Sequence, residues 1–232
     1  RAIDSGAVDR FGTLDSTTGG ETHRYSLSGE WAKRGEASQS NASLWWLKSG
    51  LDLWSNFQYC LNDFAATGTC ATGDQFKQGE SRQAGGFSAS HTLYDRWGTY
   101  EVANAFGIQG RVDRIRPVGL YNTSARTTWN TVREDNVTQR SLSLWGQNEI
   151  RWASWFRSVA GLRGEAYDFT VDSSLPANSG TANDQMLLPK LSLVFGPWQR
   201  SELYLNYGQG FHSNDARGTT ITVDPGDPTV SV

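Results

Sequence analysis

The side chains that could do chemistry in this sequence are sparse and scattered. His23, His91 and His212 are far apart, and none has a second ligand at a metal-binding spacing. Cys60 and Cys70 lie in a Gly/Thr/Ala-rich stretch with no CxxC pair and no adjacent histidine, which argues against zinc. Their spacing leaves two readings open, a local disulfide in an oxidising compartment or two free thiols in a loop. There is no phosphate-binding loop, no paired dinucleotide glycines and no nucleophile elbow, and single carboxylates such as Glu149 or Asp168 carry no general-acid signal. Neither an enzyme nor a resident metal or cofactor is expected. Recognition chemistry is better represented. Phe211, His212, Asn214, Asp215 and Arg217 gather an aromatic ring, an imidazole, an amide and opposite charges in one short polar segment, which makes them the candidate ligand contacts. The competing reading is a self-satisfied turn, since Asx side chains readily bond their own backbone.

Composition narrows the classes further. The chain of 232 residues carries a net charge of −3, with 21 basic and 24 acidic residues spread along its length. That pattern gives neither a nucleic-acid footprint nor a polyacidic tail, so no nucleic-acid partner is expected. Lys33, Lys48, Lys77 and Lys190 are the only lysines, which leaves most positive charge on arginine. No apolar run is longer than Leu44 to Leu47, which excludes a spanning helix of about 20 apolar residues. A membrane-spanning strand is not excluded, because it needs only about 9–11 residues with every second side chain apolar.

The elements that must position these residues show themselves as period-two alternation. Tyr25, Leu27 and Trp31 alternate with polar neighbours, and Trp45, Leu47, Leu51 and Leu53 share one parity against Lys48 and Asp52. Further on, Tyr100, Val102, Phe106 and Ile108 oppose Glu101 and Gln109, and Leu142, Leu144, Ile150 and Trp152 oppose Ser141, Gln147, Glu149 and Arg151. Leu187, Leu191, Leu193 and Phe195 oppose Lys190 and Ser192, and Leu203, Leu205 and Tyr207 oppose Glu202 and Asn206. Weaker alternation falls near 81–95 and 156–171. Connections alternate between short turns, near 33–39, 96–99, 153–155 and 196–201, and long polar stretches at 1–21, 61–80, 114–137 and 172–184. Tight turns on one side and long loops on the other are the asymmetry of a transmembrane barrel. The fold expected is all-β, an up-and-down antiparallel transmembrane β-barrel represented by about eight consecutive strands as an open curved sheet. Trp31, Trp45, Trp46, Trp97, Trp152, Trp155 and Trp198 all fall near short turns, which predicts a ring of interfacial indoles at one membrane surface. The charged residues of the opposite parity, among them Arg24, Glu30, Glu149, Arg151, Arg163 and Glu165, are expected to line a wet interior.

Specific blocks go beyond periodicity. ELYLNYGQGFHSNDARGTT at Glu202–Thr220 resembles the late-barrel strand and loop of TonB-dependent outer-membrane receptors. It is joined by LDLWSNFQY at Leu51–Tyr59, GDQF at Gly73–Phe76, PVGLYNTSAR at Pro117–Arg126, REDNV at Arg133–Val137, QNEIRW at Gln147–Trp152 and PKLSLVFGPW at Pro189–Trp198. This resemblance implies that residues 1–232 are part of a barrel of about 22 strands, truncated at both ends. It implies a plug domain elsewhere in the protein, TonB with ExbB and ExbD as energy-coupling partners, the lipid bilayer of the bacterial outer membrane as surroundings, and a small-molecule or metal-chelate cargo. The family's cargoes are ferric siderophores, haem, cobalamin and similar scarce nutrients. The alternatives are a passive porin-type barrel and, further off, a soluble β-sheet binding protein.

Overall fold

The computed structural model describes residues 4–6, 8–211 and 215–232. Eight strands follow one another in space as they do in sequence, each antiparallel to its neighbour. They are β1 (Gly19–Arg34), β2 (Ser38–Ser55), β3 (Phe76–Trp97), β4 (Tyr100–Ser124), β5 (Thr127–Ala153), β6 (Phe156–Ser173), β7 (Gly180–Trp198) and β8 (Ser201–Gly208). A short helix, α1 (Leu61–Thr67), interrupts the β2–β3 connection. The sheet is open, and no second layer of strands covers either face among the described residues.

Cross-strand register assigns every side chain to a face. Leu27 pairs with Trp46, Leu44 with Phe87, Ala89 with Ile108, Ile108 with Leu144, and Leu193 with Leu205, so these apolar residues share one surface. That surface is bare: Leu27 is 73% exposed, Leu44 68%, Leu144 60% and Leu187 62%. The other face is charged and concave. There, contacts skip a strand: the Arg111 guanidinium of β4 lies 5.5 Å from the Trp45 ring of β2, and Arg163 of β6 donates to Gln109 of β4 at 3.0 Å. On the aliphatic face the ring contacts His91–Phe106 and Tyr100–Trp152 join adjacent strands only.

Two expectations change here. In β2 the outward parity is Leu44 and Trp46, while Trp45, Leu47, Leu51 and Leu53 face the concave side. Both parities of that strand are apolar, so alternation alone could not choose between them; the register with Leu27 and Phe87 does. Trp45 consequently leaves the interfacial ring for the interior. Trp46 points outward but pairs with Leu27 and Gly85 in mid-strand, well away from the 35–37 turn. Trp31, Trp97, Trp152, Trp155 and Trp198 do lie at or beside the short turns.

The stretch 114–137 is also not a loop. β4 and β5 run through it to a two-residue turn at Ala125 and Arg126, whose φ values of 46° and 67° match the twist of the flanking strands. Outward positions there, such as Arg114, Tyr121 and Glu134, are polar or amphipathic. Without an aliphatic environment on one side the period-two signal vanishes although the ladder continues. The long β2–β3 connection is a genuine loop. It is closed by a Cys60–Cys70 disulfide, with Cα atoms 5.7 Å apart, and by reciprocal carboxylates. Asp74 accepts from the Asn62 and Asp63 amides at the start of α1, and Asp63 accepts from the Thr72 and Gly73 amides.

Two inward tryptophans depend on glycines across the strand gap. A Cβ at Gly107 would stand 2.7 Å from the Trp145 ring and from the Ala89 carbonyl, and one at Gly86 would stand 2.8 Å from the Trp45 ring and the Gly110 carbonyl. Gly146, outward on the same strand as Trp145, has no atom within 4 Å of such a Cβ. Gly107→Val is therefore expected to displace Trp145 and cost about 1–3 kcal/mol, whereas Gly146→Ala stays within about 0.5 kcal/mol. Urea unfolding of the complete protein in detergent, followed by tryptophan fluorescence, measures both. Equal midpoints for the two variants would contradict the packing.

Candidate functional site

In a strand, residues i and i+2 share a face. Opposite charges at that spacing therefore form an ion pair lying along one wall. The concave face uses the device repeatedly: Glu80–Arg82 on β3, Arg111–Asp113 on β4, Arg133–Asp135 on β5 and Arg163–Glu165 on β6. These are read from the tripeptides ESR, RVD, RED and RGE. Asp215–Arg217, from DAR, adds a fifth pair from the segment after β8. Sequence reading singled out only Arg163 and Glu165 among the four strand pairs. The i, i+2 charge pattern within a strand would have found the others.

The pairs interlock across strands. Asp113 is 3% exposed and receives Arg111 Nε at 2.5 Å, Arg111 Nη2 at 2.8 Å and Arg82 Nη1 at 3.3 Å. Asp135 is fully buried. Arg133 Nε stands 2.5 Å from its carboxylate and Arg217 Nη1 stands 3.9 Å away, yet neither oxygen receives a well-directed hydrogen bond among the described residues. Holding a charge so deeply costs several kcal/mol unless other charges compensate, so Asp135 fixes Arg133 and draws Arg217 inward. Glu80, Arg82, Arg111, Asp113, Tyr167 and Arg217 line a cavity of about 410 Å³.

Over this cavity lies the Asp215–Arg217 segment, which carries two of the candidate ligand residues. Ala216, in a 3₁₀ turn (Ala216–Thr219), is fully buried against Ile115, Val137 and Val171 of the concave wall. Asn178 clamps the returning chain from a second 3₁₀ turn (Pro176–Asn178): its Oδ1 accepts from the Thr222 and Val223 amides and its Nδ2 donates to the Val223 carbonyl. Asn178 is itself fully buried, and no sequence pattern marked it. Phe211 meets Tyr167 edge to face at 5.3 Å. Asp215 and Arg217 thus line the cavity and Phe211 touches its Tyr167 wall, while His212 and Asn214 lie outside the described residues. Asp215 also behaves as the turn reading expects, accepting the Arg217 amide at 3.0 Å.

A second amide organises the rim over the first strands. Gln75, 3% exposed, accepts from Thr123 Oγ1 and the Arg126 amide and donates to Asp15 Oδ2 and Thr17 Oγ1. This ties the segment before β1 to the β4–β5 hairpin. The other sequence candidates for ligation are dispersed: His23 and His91 belong to β1 and β3 on the aliphatic side, and His91 is bonded to Ser40 at 2.7 Å. Cys60, Asp63 and Cys70 cluster, but both sulfurs are joined to each other and offer no thiolate. Among the inward charges, Arg151 lies 3.6 Å from Glu101 rather than pairing with Glu149. Arg24 and Glu30 sit opposite Ser49 and Ser43, about 20 Å apart along β1.

The sequence profile of a family described as TonB dependent receptor-like, beta-barrel, matches residues 2–231. Several solved structures share the fold, among them two transporters and an import receptor. The ferric citrate transporter FecA in its unliganded form superimposes with a TM-score of 0.67 at 11% identity, over 88% of this chain and 29% of that one. The ferric-catecholate import receptor Fiu of E. coli K12, in an open form, gives 0.62 at 10% identity, over 88% and 39%. The copper transporter OprC gives 0.57 at 14% identity, over 83% and 31%. This chain thus spans well under half the length of each. No curated protein matches it in sequence.

Titration of the lid follows from its geometry. Burial pushes the Asp215 carboxyl up, but hydrogen bonds from the Arg217 side chain and amide, with the charges of Arg217 and Arg133, outweigh it and hold the group below the ordinary carboxylate range. A lowered folded-state value means the contribution is complete above the unfolded Asp value of about 3.9 and is lost as pH falls through the folded value. After correction for the intrinsic pH dependence of exchange, the protection factors of amides 216–223 are expected to be high at pH 6 and to fall as pH drops below about 4, and Asp215→Ala should lower them at pH 6. Unchanged protection in the variant would contradict the clamp.

Proposed function

Since this chain belongs to the family of TonB-dependent receptor β-barrels, we propose that it forms part of the wall and outer mouth of an outer-membrane receptor that actively imports a scarce nutrient. The convex aliphatic face meets lipid, the concave face lines the lumen, and the short turns lie on the periplasmic side. The plug of the complete receptor is the inner wall's resident partner, and TonB with ExbB and ExbD supplies the energy. The cargo is a small molecule or metal chelate of the siderophore, haem or cobalamin kind.

The observation that carries this reading is the charge-paired cavity under the Asp215–Arg217 segment. Its charges are balanced, Arg82, Arg111 and Arg217 against Glu80, Asp113 and Asp215, and each guanidinium has a carboxylate partner. Such a wall accepts a polar guest by partner exchange, with a ligand carboxylate or hydroxamate replacing an internal carboxylate at arginine. The same exchange lets the guest leave when the plug shifts. A wall of unpaired charge of one sign would bind ions without releasing them.

The test uses cells carrying the complete receptor. Uptake of the cognate cargo is expected to cease when ExbB and ExbD are deleted, while surface binding persists. The charge-neutral pair Arg111→Gln with Asp113→Asn, which leaves no orphan charge, should weaken binding at least tenfold with the barrel intact, a loss of about 1.4 kcal/mol. Uptake that continues without ExbB and ExbD would identify a passive porin instead.

A further inference from the structure

The β2–β3 loop carries a constellation that the wall and its cavity do not use. Cys60 immediately precedes α1 and Asp63 lies in its first turn, so the two have the spacing of a CxxC metal pair with a carboxylate in the second place. Cys70 returns to the same point from the far end of the loop. One donor atom from each residue, two sulfurs and a carboxylate oxygen, all lie within 4.8 Å of one another. Tetrahedral zinc holds two thiolates about 3.8 Å apart, so the three donors stand close to the separations such an ion imposes.

Bonds other than the S–S bond position this cluster. Asp63 Oδ2 accepts the Thr72 and Gly73 amides at 2.7 and 2.9 Å, while Oδ1 receives the Thr67 hydroxyl at 3.3 Å, a long bond that leaves it able to ligate. Asp74 accepts the Asn62 and Asp63 amides at 2.7 and 2.9 Å, and its own amide donates to the Tyr59 carbonyl at 2.9 Å. Gly68, at φ 72°, closes α1 by donating to the Phe64 carbonyl. Breaking the disulfide therefore leaves the chain tied on both sides, Tyr59 to Asp74 and Asp63 to Thr72 and Gly73. Thiols freed there stay near each other and near a carboxylate. No lysine, arginine or histidine occurs from Asn56 to Phe76. Two thiolates beside Asp63 would be three anions with no basic side chain of their own loop to offset them, which is the charge environment of a cation.

We propose that the β2–β3 loop is a redox-gated site for a thiophilic divalent cation of the zinc class, closed while Cys60 and Cys70 are bonded and formed when they are reduced. A dithiol reductant supplies two electrons and two protons: the S–S bond breaks, both cysteines become thiols, and the reductant closes to its own disulfide. The cation then displaces the two thiol protons to solvent and forms two metal–sulfur bonds and one bond to Asp63 Oδ1, with water in the fourth position. Cys60 is buried and Cys70 exposed, so reductant and cation both enter from the Cys70 side. The metal takes over the cross-link, and α1 keeps its place in a reducing medium.

The complete receptor in non-ionic detergent is reduced with dithiothreitol, freed of reductant under argon and equilibrated with Zn2+, and bound metal is counted against the untreated protein. Cd2+ in a parallel sample reports thiolate ligation through its sulfur-to-metal ultraviolet absorption. About one additional metal ion per reduced chain is expected, with that absorption, and neither in the oxidised protein nor in Cys60→Ser with Cys70→Ser. Asp63→Asn keeps an oxygen for the Thr72 and Gly73 amides and should weaken zinc roughly tenfold or more, the loss that even an outer-shell change commonly brings. Amides 62–64 and 72–74 of the reduced, metal-free protein are expected to stay protected from exchange. Equal zinc in oxidised and reduced protein, a reduced loop that takes none, or Asp63→Asn binding like the parent would overturn the site. Loss of that protection on reduction would overturn its preorganisation.

Discussion

An antiparallel hydrogen-bond ladder that runs from β1 to β8 with only local register shifts constrains everything else in this molecule. It satisfies the backbone of β2 to β6 on both sides and that of β7 on both sides from Lys190 onward, so side chains alone decide what each face meets. Because successive residues point to opposite faces, one chain can carry Leu142 and Leu144 outward and Ser143 and Trp145 inward without any second layer. A structure with bare leucines on one face and buried carboxylates on the other makes sense only if the leucines meet something apolar and the carboxylates meet their own arginines.

The inner wall shows how far that economy goes. A buried charge is expensive, and here each one is answered by a residue two positions along the same strand or diagonally on the next one, as Asp113 is by Arg111 and Arg82. The wall thereby becomes polar without becoming strongly charged. Its upper end is closed by a segment that contributes one apolar residue, Ala216, to a small cluster with Ile115 and Val137, and one ion pair, Asp215–Arg217, to the cavity. Loops that shape the mouth are fixed by single saturated amides, Gln75 and Asn178, rather than by cores of their own.

The sequence reveals the fold wherever one face is apolar. In β5, Leu142 to Trp152 against Ser141 to Arg151 marks the strand and its orientation unambiguously. The signal fails in two physical circumstances. In β2 both parities are apolar, because Trp45 and Leu47 cover the inner wall while Leu44 and Trp46 cover the outer, and only long-range pairing separates them. Beyond Arg114 and before Val137 both faces of the strands are polar or mixed, and an extended hairpin reads like a loop. Of the candidate site, the Asp215–Arg217 segment was visible as a local mixture of chemistries. Its partners Glu80, Arg82 and Asp113 come from strands far away in sequence, and Asn178 acts through backbone contacts that no spacing encodes.

The central claim is that an apolar environment touches one face of these strands over a limited height. Spin labels placed singly at successive positions of β4 from Val102 to Tyr121, in the complete receptor reconstituted in bilayers, test it directly through collision with oxygen and with a water-soluble nickel chelate. Oxygen accessibility should peak at Phe106, Ile108 and Val112, with inward positions favouring the chelate, and the alternation should die away past Arg114. Equal accessibility of both parities across the belt, or an alternation that persists to Tyr121, would contradict the account.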